Sequence, residues 1–445
     1  MMHKQQNLSW SRLDNAAKIF PSTSERTDTR VFRFSCQLNE PVVPELLQQA
    51  VDAAVDSFPQ YLVVMRRGMF WYYLEQTDLR PVVTEESKAP CAPLYLSGRR
   101  SLLFRVTYYR CRINLEIYHV LSDGTGALEF LKTILSRYLL LRYSEELQKR
   151  DLTLVSAAVS ERESDSFQKY YQRVRERGKA KSVRAYHLKG ERREEDDLQL
   201  IEGIVSVKSV LNAAHLHNTT LTVFLTALFI QAIHQEMYLR DGKRPVVIRV
   251  PVNLRSYFPS ETARNFFGMI EVRYAFERSP GDLADIIRVV DETFKQELKR
   301  DRLAVRMNRL ANLEHNPLIQ VVPLPLKNIV LHNARHISDR GETAVISNLG
   351  KITLPEPLRP YVHSFHVFAS TLKTQLCVCS YGDRLQLGFS TAFSDAGLER
   401  RFFRLLIEQG IDVQVSATQS VDESKEPQHE KKKREKRRKS VKKEE

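Results

Sequence analysis

The sequence INLEIYHVLSDG spans Ile113 to Gly124 and joins two kinds of secondary structure. Apolar and polar side chains alternate up to Tyr118, which predicts a β-strand. From Gly124 onward, apolar residues recur at helical spacing to about Tyr143, which predicts a helix. His119 therefore stands in a turn between a strand and a helix, at the end of a sheet, where ligand-binding side chains gather.

His119 is a candidate general base, because an imidazole with a pKa of about 6.5 accepts a proton at neutral pH. Asp123 either orients the ring or pairs with an arginine behind it, and Gly124 leaves space beside the ring for a substrate. Taken without further context, a core histidine followed by a capping aspartate explains these residues equally well.

The bulk composition is that of a soluble globular protein. The 445 residues exceed one ordinary core and predict two domains. No stretch approaches the ~18 apolar residues of a membrane span, and Leu221 to Ile233 is interrupted by polar residues, which indicates a buried core helix. The amino terminus lacks the apolar region of a signal peptide, and five cysteines do not form a disulfide framework. We therefore expect a cytoplasmic protein.

Charge and patterning divide the chain into four segments. We predict a first lobe over residues 1–143, a charged linker or crossover over 144–197, a second lobe over 198–414 and a disordered charged tail over 415–445. The basic block Lys431–Lys439 accounts for part of the net charge of +14, and a solvated tail explains it without a specific nucleic-acid partner. The basic remainder suits a ligand with phosphates or an acidic carrier protein.

The second lobe carries strand patterns and further histidines. Residues 363–370, 374–381 and 385–391 predict a three-stranded meander, in which Cys377 and Cys379 share one face as small apolar residues. His332 and His336 have the spacing of a helical metal pair, but no glutamate follows the first histidine as HExxH requires. His363 and His366 lie around a predicted strand with no acid triad nearby in the sequence. We therefore predict no metal site, and GxSxG and GxxxxGK motifs are absent.

The HxxxDG pattern between a strand and a helix, near position 120, resembles the condensation superfamily. That group includes chloramphenicol acetyltransferase, the condensation domains of peptide synthetases and the plant BAHD acyltransferases. Further segments are similar to the bacterial alcohol acetyltransferase branch, and the resemblance extends from Trp10 to about Gln414. These segments are residues 10–21, 251–255, 264–268 and 347–350.

The resemblance implies an α+β fold of two chloramphenicol acetyltransferase-like lobes, each a mixed sheet flanked by helices, with a tunnel between them. Two departures restrict the function. Tyr118 precedes His119, where condensation domains usually carry a second histidine, and Asn265 to Gly268 stands where plant enzymes have DFGWG. Both differences argue against peptide synthesis and against a plant-type enzyme.

The resemblance also implies a mechanism. The thioester and the acceptor enter from opposite ends of the tunnel, and His119 takes the proton of the attacking hydroxyl or amine without an acyl-enzyme. Asp123 is then structural and bonds an arginine. The sequence leaves four candidates for this partner: Arg255, Arg264, Arg12 and Arg30.

Four residues of the second half are candidates for substrate contacts. Ser347 and Asn348 are candidate donors to the oxyanion, because members of the superfamily place a hydroxyl or amide of the second lobe near the histidine. A serine–asparagine turn that ends a strand explains them equally well. Asn253 and Arg255 follow a buried strand and are candidates for the donor channel.

The leading hypothesis is a metal-free O-acyltransferase with no bound cofactor. It uses an acyl-CoA, with acetyl-CoA as the first choice, as co-substrate and an alcohol as acceptor. Within enzymes, the alternatives are an acyl-carrier-protein donor or an amine acceptor. Outside enzymes, the alternative is a non-catalytic binding module on the same fold.

Overall fold

The structure, a computed structural model, describes residues 10–147, 159–172, 184–194, 197–314 and 320–417. Within these ranges the strands are β1 (Trp10–Arg12), β2 (Val31–Leu38), β3 (Val63–Arg67), β4 (Tyr72–Gln76), β5 (Thr84–Glu85), β6 (Phe104–Tyr109), β7 (Arg112–Tyr118), β8 (Gln199–Ser206), β9 (Val246–Asn253), β10 (Phe267–Tyr274), β11 (Ala344–Lys351), β12 (Val362–Ala369), β13 (Thr374–Tyr381), β14 (Arg384–Thr391) and β15 (Gln414–Ala417).

The α-helices in the same ranges are α1 (Phe20–Thr23), α2 (Pro44–Asp56), α3 (Gly124–Arg142), α4 (Ser144–Leu147), α5 (Val159–Glu163), α6 (Ser166–Lys169), α7 (Val207–Leu216), α8 (Leu221–Glu236), α9 (Leu283–Glu297), α10 (Arg300–Glu314), α11 (Leu324–Asp339) and α12 (Gly397–Glu408).

A five-stranded sheet, in the order β12-β2-β7-β6-β5, forms the centre of the first lobe. β6 and β7 form the hairpin that their short link predicts, with Tyr109 opposite Arg112. Arg110 in the link has φ 50°, a value suited to a two-residue hairpin turn. β7 ends at Tyr118, so His119 lies at the end of the sheet and α3 begins five residues later.

A seven-stranded sheet, in the order β10-β9-β11-β13-β14-β8-β15, forms the centre of the second lobe. β11 runs parallel to β9 and β13, whereas β13, β14 and β8 pair antiparallel. Helix α8 lies in the core beneath this sheet, with Val223 to Ile230 entirely buried. The core helix predicted for this stretch is therefore confirmed, as is the α+β class of mixed sheets flanked by helices.

One strand of the second half belongs to the sheet of the first lobe. β12 pairs antiparallel with β2, with Phe365 opposite Cys36. The predicted meander is therefore wrong for its first strand, although β13 and β14 pair antiparallel as expected. A buried apolar strand fits either sheet by its pattern alone, since periodicity defines its faces and not its neighbours. The predicted second lobe, residues 198–414, thus contains a strand that completes the first.

The predicted tail begins too early. Val415, Ser416 and Ala417 lie in β15, which pairs antiparallel with β8, so the sheet continues three residues into the segment predicted as disordered. Residues 418–445 lie outside the described residues, as do 148–158, 173–183 and 195–196 of the predicted linker. The described parts of that linker include the short helices α4, α5 and α6.

Across the described ranges, no single helix combines the length and the apolar character that crossing a membrane requires. Helices α7 and α8 reach that length and composition only as a pair, and they meet at a bend of 81°. Most of α8 is buried beneath the second sheet.

Candidate active site

His119 lies directly after β7, where the chain turns towards α3. Its backbone N–H donates to the carbonyl oxygen of Arg30 at 2.8 Å. Its ring packs among three phenylalanine rings, with centroids 4.7 Å away for Phe20, 5.0 Å for Phe32 and 5.4 Å for Phe267. Phe267 belongs to β10 of the second sheet, so His119 lies where the two lobes meet. The residue is only partly buried.

The Asn265 amide lies against Nδ1 of His119, with Oδ1 at 3.1 Å. Asn265 Nδ2 donates to the carbonyl oxygen of His119 at 3.0 Å and to Oδ2 of Asp14 at 3.1 Å. Both of those partners are acceptors, so the amide nitrogen must face them and the amide oxygen must face the ring. Nδ1 of His119 therefore carries the hydrogen, and Nε2 is left as a proton acceptor.

Burial favours the neutral ring. Desolvation among the phenylalanine rings lowers the pKa of His119 from its ordinary 6.5, although the charge of Asp123 and the hydrogen bond to Asn265 act in the opposite direction. A histidine with a lowered pKa is neutral at pH 7, and a neutral imidazole can accept a proton on its unprotonated nitrogen.

Asp14 anchors this arrangement from the amino-terminal segment. Its Oδ1 accepts from the backbone N–H of Ala17 at 2.7 Å, and its Oδ2 lies 3.8 Å from Nε of Arg264. Burial raises the pKa of Asp14 to about 6, although Arg264 and the hydrogen bonds lower it. The chain Asp14–Asn265–His119 thus joins three distant parts of the sequence. Sequence reasoning missed the roles of Asp14 and Asn265, although both lie in segments that carry the family resemblance.

The Asp123 carboxylate fixes the start of α3 and is bonded to protein groups through both of its oxygens. Its Oδ1 accepts from the backbone N–H groups of Thr125 and Gly126, both at 3.1 Å, as an N-cap does. Its Oδ2 accepts from the backbone N–H of Phe266 at 2.7 Å and from Nη1 of Arg255 at 2.8 Å. Among the four candidate arginines, the structure places Arg255 on Asp123.

Every N–H group of the Arg255 guanidinium has a protein acceptor within reach. Nε and one Nη2 hydrogen reach the carbonyl oxygen of Thr262, and the other reaches the carbonyl oxygen of Arg264. Nη1 donates to Asp123 at 2.8 Å, and Oδ1 of Asn253 and the carbonyl oxygen of Phe266 lie within reach of its other hydrogen, at 3.3 and 3.4 Å. Its guanidinium is therefore a brace between the lobes, and the structure gives it no donor to spare for the channel contact considered above.

The glycines that open α3 are explained by close packing. A Cβ on Gly124 would stand 2.7 Å from the Leu349 side chain of β11, and one on Gly126 would stand 2.1 Å from the carbonyl oxygen of Ala263. The space beside Gly124 is therefore occupied by the second lobe. This contact brings the end of β11 against the start of α3, a few residues after His119.

Ser347 and Asn348 lie on β11, next to that contact. Asn348 Nδ2 donates to Oγ1 of Thr222 at 2.8 Å, and its Oδ1 accepts from the backbone N–H of Gly350 at 2.8 Å. The hydroxyl of Ser347 has no hydrogen-bond partner among the described residues, and Ser347 is partly exposed. Of the two candidates, Ser347 has a hydroxyl without any partner among the described residues, whereas one of the two Nδ2 hydrogens of Asn348 is already bonded to Thr222.

Asn253 ends β9 and holds the turn that follows. Its Oδ1 accepts from the backbone N–H of Arg255 at 3.1 Å and from Nη1 of the same residue at 3.3 Å. Asn253 is exposed and pairs in register with Phe267, whose ring touches His119. It thus supports the Arg255 brace, on a strand that leads to the histidine.

A second histidine has an acid and a hydroxyl beside it, contrary to the sequence expectation for His366. Its Nδ1 lies 2.6 Å from Oε2 of Glu202 and its Nε2 lies 2.8 Å from Oγ of Ser364. Burial raises the pKa of Glu202, but the hydrogen bond and charge of His366 outweigh it and lower that pKa overall. Ser364 and His366 are buried between the two sheets, and that buried position suits a structural hydrogen-bond network.

His332 and His336 meet on α11 with their Nε2 atoms 3.0 Å apart. Glu25 joins them, and the three potential ligand atoms lie within 4.8 Å of one another. These side chains could hold a divalent ion. The two rings also satisfy each other as hydrogen-bond partners, so the pair is explained without a metal. The glutamate comes from the first lobe, which is why a search along the helix did not find it.

The fold of this chain is similar to those of solved acetyltransferases and condensation domains. The trichothecene 15-O-acetyltransferase TRI3 from Fusarium sporotrichioides aligns at a TM-score of 0.60 and 11% identity, over 90% of this chain and 94% of that one. TRI101 of F. sporotrichioides, in complex with coenzyme A and T-2, aligns at 0.58 and 11%, over 91% and 99%. The first condensation domain of the CDA synthetase aligns at 0.59 and 14%, over 91% and 97%.

No family model and no curated protein sequence matches this chain. The structural alignments nevertheless span nearly the whole length of both partners, so the chain has the two-lobed fold shared by condensation domains and these acetyltransferases. The predicted resemblance to the condensation superfamily is thereby confirmed at the level of the fold.

Proposed function

We propose that this protein is an acyltransferase that moves an acyl group, acetyl as the first choice, from a CoA thioester to an alcohol hydroxyl. The observation that carries the proposal is the state of His119. Asn265 fixes its hydrogen on Nδ1, desolvation among the phenylalanine rings favours the neutral imidazole, and the residue lies where the lobes meet. Nε2 is then the proton acceptor that the reaction requires.

In the first step, the acceptor hydroxyl gives its proton to Nε2 of His119 while its oxygen attacks the thioester carbonyl. A tetrahedral oxyanion forms. In the second step, the carbon–sulfur bond breaks, and the CoA thiolate leaves and takes the proton from Nε2. The ester, free CoA and neutral His119 result, so no acyl-enzyme and no oxidant are needed.

Ser347 is our choice of donor to the oxyanion, because its hydroxyl is uncommitted whereas the amide of Asn348 is bonded to Thr222. A donor of this kind contributes about 2.7–4 kcal/mol to the transition state. Asp123 and Arg255 act through the backbone, by holding the turn after His119 and the segment of Asn265 together.

The choice of donor and acceptor is supported by the fold neighbours. TRI101 was solved with coenzyme A, and TRI3 is named an O-acetyltransferase. The chain's own charge of +14 suits the phosphates of CoA. The five cysteines are all free, which suits a reducing compartment, and we propose the cytoplasm.

The test is thiol release from a panel of acyl-CoAs with simple alcohols and amines, for the wild type and His119→Ala. We expect acceptor-dependent release that falls by about 10²–10⁴-fold in His119→Ala, with an unchanged unfolding midpoint. His215→Ala, which alters an exposed histidine on α7, is the matched control and should keep wild-type turnover. Undiminished turnover in His119→Ala would refute the general-base role.

A carrier-protein donor and a non-catalytic binding module remain as distinct results of the same assay. Release with an acyl carrier protein but with none of the acyl-CoAs would replace the donor and keep His119 as base. Binding of acyl-CoA without any turnover, unaltered in His119→Ala, would instead identify a binding module.

A further inference from the structure

Helix α11 is turned so that Lys327 and Arg335 face the protein, whereas four of its aliphatic side chains face outward. Lys327 and Arg335 are only 4% and 8% exposed, whereas four aliphatic residues are between 56% and 64% exposed. These four residues, which we name the outer face, are Leu326, Ile329, Val330 and Ile337. A surface helix ordinarily shows the reverse arrangement, so this helix presents an apolar stripe to its surroundings.

The buried cations fix this orientation. Nζ of Lys327 donates to the carbonyl oxygens of Phe70 and Gln320, at 3.0 and 3.2 Å, and lies 3.7 Å from the centroid of the Trp71 ring. Nη2 of Arg335 donates to Oδ2 of Asp28 at 2.9 Å. Because both cations are held by the first lobe, α11 cannot rotate its outer face inward without breaking these contacts.

The apolar surface continues onto the turn between β3 and β4. The backbone N–H of Leu324 donates to the carbonyl oxygen of Met69 at 2.8 Å, which joins the start of α11 to that turn. Met69 and Phe70 are 72% and 37% exposed. The start of the helix that carries the outer face therefore lies beside an exposed apolar turn of the first lobe.

A cleft of about 580 Å³ opens beside the same turn. Its walls carry five aromatic side chains, Trp10 and Phe70 to Tyr73, together with the cations Arg12 and Lys18. No aspartate or glutamate is among the described residues that line it. Nζ of Lys18 lies 5.6 Å from the Trp71 ring. The volume is that of a small-ligand site, and its charge selects an anion.

We propose that the outer face of α11 and the β3–β4 turn dock on an anionic lipid surface, with a lipid headgroup in the aromatic cleft. Aliphatic side chains that flank aromatic rings and cations form the combination that enters the boundary between headgroups and acyl chains. The cations of the cleft complement anionic headgroups, and the +14 charge of the chain adds a longer-range attraction.

The cleft lies close in sequence to the candidate active site. Lys18 precedes Phe20 by two residues, and the Phe20 ring packs on His119 at 4.7 Å. A lipid-borne hydroxyl is then an acceptor that this surface delivers. Only that last step rests on the function proposed above, because docking on lipid requires no turnover.

The chain contains two tryptophans, Trp10 and Trp71, and both line the cleft. Intrinsic tryptophan fluorescence of the full-length protein therefore reports on this site. We would mix the protein with vesicles of phosphatidylcholine alone, or with phosphatidylglycerol added, and measure both the emission maximum and co-sedimentation. We expect a blue shift and co-sedimentation with the phosphatidylglycerol vesicles, both weakened by salt.

Matched variants separate this surface from the rest of the chain. We expect Ile329→Ser with Val330→Ser to weaken vesicle binding by about tenfold or more, since two aliphatic side chains no longer enter the lipid. Lys18→Gln should weaken it by about fivefold. Leu216→Ser with Ile407→Ser removes two exposed aliphatic residues elsewhere, and Lys88→Gln removes an exposed lysine elsewhere. Both controls should bind as the wild type does.

Three results would overturn the proposal. The first is the absence of a blue shift and of co-sedimentation with phosphatidylglycerol vesicles. The second is undiminished binding of the serine double variant, which would assign lipid binding to the basic tail that every variant shares. The third is a shift produced equally by soluble glycerol phosphate, which would make the cleft a small-anion site and remove the lipid surface.

Discussion

The hydrogen on the His119 ring is placed by Asn265, a residue 146 positions further along the chain. Asn265 is in turn oriented by two acceptors, the carbonyl oxygen of His119 and the carboxylate of Asp14. When the tautomer of a histidine is fixed before the substrate binds, no free energy is needed to reorient the ring during the reaction. The state of the ring is thus set by the hydrogen bonds that link Asp14, Asn265 and His119. Only His119 of these three residues belongs to the HxxxDG motif.

Activity should fall on the acid side at a pH below 6.5. Burial lowers the pKa of His119, so the ring stays neutral, and competent as a base, to a lower pH than a free histidine. Burial also raises the pKa of Asp14 to about 6, so its carboxylate, which holds Asn265, is also lost at a pH below 6.5. We expect the acid limb of kcat/KM to be steeper than one proton, and Asp14→Asn to reduce it to one. An acid limb centred above 6.5 would contradict this assignment.

Asn265→Ala should separate positioning from binding. The substitution removes the acceptor of Nδ1–H and frees the ring to take the other tautomer. We expect kcat to fall by about 10²-fold with little change in KM, since a misoriented base costs about that factor. The pH profile should lose its dependence on Asp14, so that Asp14→Asn adds nothing in the Asn265→Ala background. A large rise in KM with unchanged kcat would instead make Asn265 a substrate-binding residue.

At the scale of elements, Asp123 joins the start of α3 to the segment that follows β9. It caps the helix, accepts from Phe266 and pairs with Arg255, whose side chain is 10% exposed. Removing one partner leaves the other charge buried, which costs about 3–5 kcal/mol of unfolding free energy. We expect Asp123→Ala and Arg255→Ala each to show this loss in urea unfolding, and the double variant to lose clearly less than the sum.

The control for that experiment is an exposed ion pair of the same chemistry. Arg80 and Asp56 approach to 3.2 Å, with side chains 58% and 69% exposed. Arg80→Ala should cost at most about 1 kcal/mol, because water already screens the pair. A cost for Arg255→Ala no larger than that for Arg80→Ala would show that the brace does not stabilise the fold, and Asp123 would need another role.

The sequence predicted the secondary structure around His119, but it did not predict which distant residues bond to His119 and Asp123. The strand, the turn and the helix around His119 follow from periodicity and from glycines, which act over a few residues. The partner of Asp123 lies 132 residues away, and four arginines fitted the role equally well until the lobes were brought together. Asn265 was visible only as a member of a family-like segment. Pairing across lobes depends on register in space, which no local pattern encodes.

At the scale of the whole molecule, β12 is another case in which the sequence predicts an element but not its partner. Its alternation predicted a strand correctly, and its short link to β13 favoured a meander, yet it pairs with β2 of the first lobe. The four-residue link between β12 and β13, residues 370–373, is long enough for the chain to leave one sheet and enter another. The first sheet is therefore completed by a segment more than 300 residues after β2, and the lobes differ in space from the predicted sequence ranges.

Because β12 of the second half completes the sheet of the first lobe, we predict that the two halves of the chain do not fold independently. A fragment of residues 1–197 lacks β12 and leaves the edge of β2 unpaired, and a fragment of 198–445 exposes β12 without a partner, a state prone to aggregation. Each fragment also leaves one partner of the buried Asp123–Arg255 pair alone. We expect both fragments to be insoluble or unfolded when produced singly, and to form a soluble complex when co-expressed.

The full-length chain, as the control, should unfold in one urea transition. Tryptophan fluorescence, which reports on the first lobe, and circular dichroism, which reports on both lobes, should show the same transition. Two separate transitions, or a soluble monomeric 198–445 fragment with its own cooperative unfolding, would show that β12 is an accessory strand and that the lobes are autonomous domains.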